Sequence, residues 1–149
     1  MHALKTHPIT ASRSCGFTLI EVLVAVLVLS IGLLGLAALQ TESLRTNHSA
    51  HYRSQATFLT YDIIDRMRAN RAAALAGNYN LALGATVTGT ATAAMDITDW
   101  KDRLAEALPE GDGSISVATA TGVVDIIVQW NDERAAGEAE QQFSLQTQL

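Results

Sequence analysis

From Val22 to Leu39 the chain carries no charged side chain, and Ser30 is the one hydroxyl in the run. At about 1.5 Å rise per residue this stretch approaches the roughly 30 Å of a bilayer core. Phe17–Ile20, with Glu21 inside the stretch, brings it to spanning length, so a transmembrane helix is expected over 17–39. Neither proline nor glycine occurs between Leu36 and Ala76. The helix is therefore expected to continue through 40–76, ending at about Asn70–Ala76 with Gly77-Asn78 as its C-cap. Leu44, Tyr52, Ala56, Leu59, Ile63 and Met67 recur near multiples of 3.6 and form the face expected to pack on a sheet. Asp62–Arg66 and Asp65–Arg68 are spaced to pair along the helix surface.

The remainder, 77–149, has a different rhythm. Residues 77–95 are rich in Gly, Ala, Thr and Asn and read as an irregular connection. Asp96 or Thr98 is expected to cap a short helix that runs to about Leu108 and stops at Pro109-Glu110-Gly111. Alternation then predicts strands at Ser114–Thr119 and Val123–Trp130, joined by a turn at Ala120-Thr121-Gly122. A third strand is expected at Phe143–Gln148 after the loop Asn131–Glu140. The expected class is α+β: one long N-terminal helix packed on a small antiparallel sheet.

Composition changes this picture little. The 149 residues are 48% hydrophobic and 17% charged, with a formal net charge of −5, and the apolar content is concentrated in one block. Lys5 and Arg13 lie in the leader, which has no acid, while Arg45, Arg53, Arg66, Arg68 and Arg71 make the middle mildly basic. Acids dominate from Asp96 onward, which argues against phosphate-directed nucleic-acid binding by that part. His48 and His51 stand i,i+3 but lack further ligands to complete a metal site, and Asn47-His48-Ser49 is a glycosylation sequon inside an expected helix. No phosphate loop, nucleophile elbow or metal-ligand set occurs, so neither an enzymatic role nor a cofactor is expected.

The junction of leader and apolar run carries the functional chemistry. A secretory signal is cut after its apolar region, and a lipid-bearing cysteine follows one; here Ser14-Cys15-Gly16 precedes it. A small residue at Gly16 suits cleavage on the cytoplasmic side, leaving the helix in place and the mature protein without cysteine. Glu21 is costly: an acid at the centre of a membrane helix costs about 2.5–3.5 kcal/mol on insertion scales, and less near its end. Cleavage before Phe17 would create a compensating cation, the new α-amino group.

Gly16-Phe17-Thr18-Leu19-Ile20-Glu21 resembles the class III signal of type IV pilins and type II secretion pseudopilins. The resemblance implies that residues 1–16 are a leader removed by prepilin peptidase, with cleavage between Gly16 and Phe17 and N-methylation of Phe17. It also implies that Glu21 meets the N-terminal amine of a neighbouring subunit during assembly. Ile31-Gly32-Leu33-Leu34-Gly35-Leu36, Asn47–Ala50, Arg53–Ala56 and Asp65–Arg71 are similar to PilV-type minor pilins, over roughly residues 14–71. The membrane-segment proline and C-terminal disulfide loop usual in major pilins are missing, which points to a minor subunit. The implied fold is the type IV pilin fold. The implied partners are major and minor pilins in a hetero-oligomeric filament or priming complex, prepilin peptidase, and lipid of the bacterial inner membrane. The implied location is that membrane, crossed once with the N-terminus cytoplasmic, and then the pilus at the cell surface. A minor pseudopilin of type II secretion is the alternative, and a DNA-uptake pilin using the arginines above is a third reading.

Overall fold

The computed structural model describes Gly16, residues 18–133 and residues 139–149. The elements run α1 (Leu19–Ala69), α2 (Arg71–Leu75), α3 (Thr92–Ala107), β1 (Asp112–Ala118), β2 (Val123–Asn131) and β3 (Glu140–Gln148). The chain divides after Gln40 into two compact units.

In the first unit every described residue is exposed, so the apolar side chains from Leu19 to Leu39 have no cover of their own. Ser30 Oγ donates to Val26 O at 2.7 Å, which satisfies the one hydroxyl of the apolar run within the helix itself. Among the described residues this is the one helix long and apolar enough to cross a membrane.

In the second unit α1 buries Ala56, Leu59, Thr60, Ile63, Ile64 and Met67, positions that fall on one face of a 3.6-residue repeat. This face lies in one core with Ala93, Ile97, Trp100 and Leu104 of α3 and the inner face of the sheet. The expected stripe began too early. Leu44 is 62% exposed and Tyr52 is half-buried, so within the stripe full burial starts at Ala56. The helix ends within the expected stretch, but with a break: α1 stops at Ala69 and the short α2 carries on to Leu75. Asn70 (φ −115°, ψ 46°) leaves helical geometry, and its Nδ2 lies 3.3 Å from Tyr79 Oη. Past that break, α2 ends as expected at Gly77: the amides of Gly77 and Asn78 donate to Ala74 O and Ala73 O, a Schellman closure with Gly77 at φ +82°.

The connection from Gly77 is less free than its composition suggested. Leu81 exchanges two 2.9 Å backbone bonds with Ile115, Asn80 Oδ1 accepts from the Val117 amide, and Lys101 Nζ donates to Ala85 O. The helix after it starts at Thr92, not at Asp96 or Thr98, and its N-cap Ala91 makes no side-chain capping bond. Asp96 is engaged elsewhere, and Thr98 Oγ1 donates to Ala94 O within the helix.

The sheet order is β1-β2-β3, antiparallel throughout, with Ile115 opposite Ile126 and Ile126 opposite Leu145. Ile115, Val117, Val124, Ile126, Val128 and Trp130 face the core. The β1–β2 turn closes through Gly122, whose amide reaches Ala118 O at 2.8 Å with φ +69°. All three strands lie where the alternation placed them, and β1 and β3 begin earlier by two and three residues.

Candidate functional site

Gly16 is described and exposed; Phe17, the other half of the expected cleavage site, lies outside the described residues, as does Cys15. Thr18 stands just before α1, in the capping position. Its backbone O accepts from the amides of Glu21 (3.1 Å) and Val22 (3.3 Å), and its Oγ1 accepts from the Glu21 amide at 3.3 Å. Thr18-x-x-Glu21 is a capping-box spacing, a signal present in the sequence and not used above. It gives Glu21 a second reason to be there. A carboxylate in the first turn faces the positive end of the helix dipole, worth about 0.3–1 kcal/mol, which offsets only part of the cost of an acid in an apolar layer.

Glu21 borders an apolar groove of about 240 Å³ lined by Val22, Ala25, Val26 and Leu29. An exposed carboxylate next to an exposed apolar helix face has two things to gain from a second helix: cover for the aliphatic side chains and a counter-ion. Gly32 and Gly35 lie further along the same helix, where an added Cβ would meet nothing within 4 Å. Backbone packing inside the chain does not demand these glycines.

The polar groups of the second unit are mostly occupied with holding it together. Arg66 is its hub: Nε lies 3.1 Å from Asp62, Nη1 3.6 Å from Asp96 and Nη2 2.5 Å from Asp99. Arg103 adds a 2.7 Å pair to Asp62. Asp99 is thus a tie between α3 and α1. Burial opposes the Arg66 charge, but the Asp99 bond and the charges of Asp62, Asp99 and Asp96 together raise its pKa above the ordinary value. Tyr79, buried in the core, donates to Asp96 Oδ2 at 2.6 Å. Burial, and then the bond to Asp96, push its phenol up to about 12. At Asp112, burial works against the carboxylate, but the Lys101 ammonium 2.9 Å away and the Gly84 and Gly113 amides outweigh it, and the pKa falls below its ordinary value.

Arg68 pairs with Asp65 at 3.2 Å and Arg71 donates to Leu149 O at 3.1 Å. Three of the five arginines considered for DNA contact are therefore engaged within the chain. His48 and His51 lean on the Tyr52 ring, at centroid separations of 6.5 and 6.2 Å. Among the described residues no group of three His, Cys, Asp or Glu is placed to hold a metal ion.

A capped apolar helix with a carboxylate in its first turn, leading into a small helix-and-sheet unit, defines a membrane-anchored assembly subunit. Two family models match in tandem: the prokaryotic N-terminal methylation motif over residues 11–37, and Type IV pilin Tt1218 over residues 38–100. No curated protein and no solved structure matches the chain. The chain is a type IV pilin-like protein carrying a class III signal. Its family is structural and not enzymatic, and membership implies processing by prepilin peptidase and assembly with other pilins.

Proposed function

We propose that this chain is a minor pilin of a type IV pilus, processed between Gly16 and Phe17, N-methylated on Phe17, and incorporated through Glu21. Before assembly it crosses the bacterial inner membrane once, with residues 1–16 in the cytoplasm. Afterwards it takes part in a priming or tip complex with other major and minor pilins. Glu21 is the observation that carries this reading. It stands in the first turn of an exposed apolar helix, beside an apolar groove, and Val22–Leu39 supply no cation. The helix dipole offsets only part of its cost, and the Phe17 amine of a neighbour supplies the rest at short range. The match to Type IV pilin Tt1218 over residues 38–100 supports a pilus over a secretion pseudopilus. The missing proline and disulfide loop support a minor subunit.

Two measurements test it. The mass of the mature protein should correspond to loss of residues 1–16 plus one methyl group. Glu21→Gln should be processed normally yet be depleted at least ten-fold from sheared filaments. Equal incorporation would sink the pairing. In a deletion strain, loss of surface pili and twitching with exoprotein secretion intact assigns the pilus; the reverse pattern assigns the type II secretion pseudopilus.

A further inference from the structure

The rest of the chain closes one edge of the sheet and leaves the other open. Along β1, Ile115 exchanges its outward amide and carbonyl with Leu81, and the Val117 amide donates to Asn80 Oδ1. β3 is the opposite edge, with β2 as its one neighbour in the sheet. The bonds at its two ends fix its phase: Asp132 N donates to Ala139 O at 2.6 Å, and Leu149 N to Gly122 O at 2.9 Å. Odd-numbered residues therefore face β2, and Gln142, Ser144, Gln146 and Gln148 point their amides and carbonyls away from the sheet. Among the described residues no backbone bond reaches these groups across the edge. Residues 134–138, outside the described residues, precede the strand at its Glu140 end. The side-chain amides of Gln146 and Gln148 bond inward, to Asp125 Oδ1 and Thr121 O, and leave the edge clear.

An open edge is normally guarded by Lys, Pro, a bulge or a very short strand. β3 runs for nine residues in regular register, with Glu140 its one charge and neither Lys nor Pro. On its inner face Phe143 and Leu145 pack against the core yet stay half-buried. The order of its residues names the occupant. Outward from Ser144 the strand reads nearly alike in both directions: Phe143 matches Leu145, Gln142 matches Gln146, Gln141 matches Thr147 and Glu140 matches Gln148. Against a second copy, antiparallel and with Ser144 opposite itself, outward-pointing residues meet outward-pointing residues, as hydrogen-bonded pairs require. Phe143 of one copy then faces Leu145 of the other on the inner side. The two Glu140 carboxylates fall at opposite ends of the pairing, each facing Gln148, so no like charges oppose each other.

The two-fold axis of such a pairing stands perpendicular to the sheet. In the second unit α1 shares the core on the inner face and so lies along the sheet. The 41–69 stretches of the two copies therefore run in opposite directions, the sense in which two facing surfaces present their copies. We propose that the β3 edge pairs about Ser144 with β3 of a second copy of this chain, carried on a facing filament or membrane. One strand pair is a small contact, so the pairing acts where several copies on each surface engage together. It is independent of the Glu21 contact and of which machine the subunit serves.

The test uses the full chain in phosphatidylcholine vesicles, with clustering followed by dynamic light scattering. Vesicles bearing the protein should cluster. Ser144→Lys vesicles alone, and Ser144→Glu vesicles alone, should cluster about ten-fold more slowly or less, because each puts like charges directly opposite across the axis. Mixing the two populations should restore clustering, which also shows that both variants are folded. Ser116→Lys and Ser116→Glu add the same charges at an exposed position of β1 and should leave clustering unchanged. In a Cys15→Ser background, Ser144→Cys should give oxidised dimers within the clusters, since opposed Cα atoms about 5.5 Å apart are within disulfide reach. Protein-bearing vesicles that stay dispersed overturn the proposal. So do Ser144 variants that cluster at the unmodified rate, a mixture that stays dispersed, or Ser116 variants impaired to the same degree. Ser144→Cys dimers in dispersed vesicles overturn it too, since the copies then pair within one membrane.

Discussion

Gly113 in β1 offers a substitution whose sign the packing decides. At an ordinary strand position Gly→Ala stabilises by about 0.5–1 kcal/mol, because alanine loses less backbone freedom on folding. Here the added Cβ would overlap Trp100 Cη2 and lie 3.0 Å from Cζ3 and 3.1 Å from Ile127 O. The indole has nowhere to go: Trp100 is fully buried and its Nε1 holds Leu59 O of α1 at 3.0 Å. Overpacking a rigid ring costs about 1–3 kcal/mol, and losing the hydrogen bond as the ring shifts costs about 0.5–1.5 kcal/mol more. The clash outweighs the entropy gain, and Gly113→Ala should destabilise the second unit by about 2–3 kcal/mol. Denaturant unfolding of the full chain in detergent, followed by near-ultraviolet circular dichroism, measures it. The cause is checked by adding Trp100→Phe, which removes the atoms that collide. The double variant should then be more stable than the sum of the two single effects by about 1 kcal/mol or more. A neutral or stabilising Gly113→Ala, or strict additivity in the double variant, would refute the reasoning.

Two further expectations concern pH. The Tyr79 phenol is raised in the folded protein, so its contribution is fully present below its ordinary pKa of 10.0 and is lost as pH rises through about 12. The stability gap between the protein and Tyr79→Phe should therefore shrink across that interval, as read from unfolding at stepped alkaline pH. Asp112 is lowered, so its contribution is present above the ordinary 3.8 and disappears as pH falls through the lower folded value. Unfolding of the protein and Asp112→Asn should converge in acid and separate at neutral pH; a constant gap would mean the Lys101 pair contributes nothing.

Much of this protein is determined locally, and local features are legible in a chain of letters. The apolar run, the Gly16–Glu21 hexamer, the 3.6-residue face from Ala56 to Met67, the closure at Gly77 and the alternation of β2 each depend on residues a few positions apart. Thr18 as the cap of Glu21 was equally local. What the sequence could not decide depends on distant partners. Asn70 breaks the helix beside Tyr79, and Asp96 serves Tyr79 and Arg66 instead of capping α3. Leu44 is exposed because the core does not extend to it, although its spacing fits the stripe. Likewise Glu110, Asp112 and Glu140 meet only because β1, the turn at Glu110 and the start of β3 converge. Periodicity reports which face of an element is apolar. Only tertiary packing decides how far that face is covered and which buried polar groups are left without a partner.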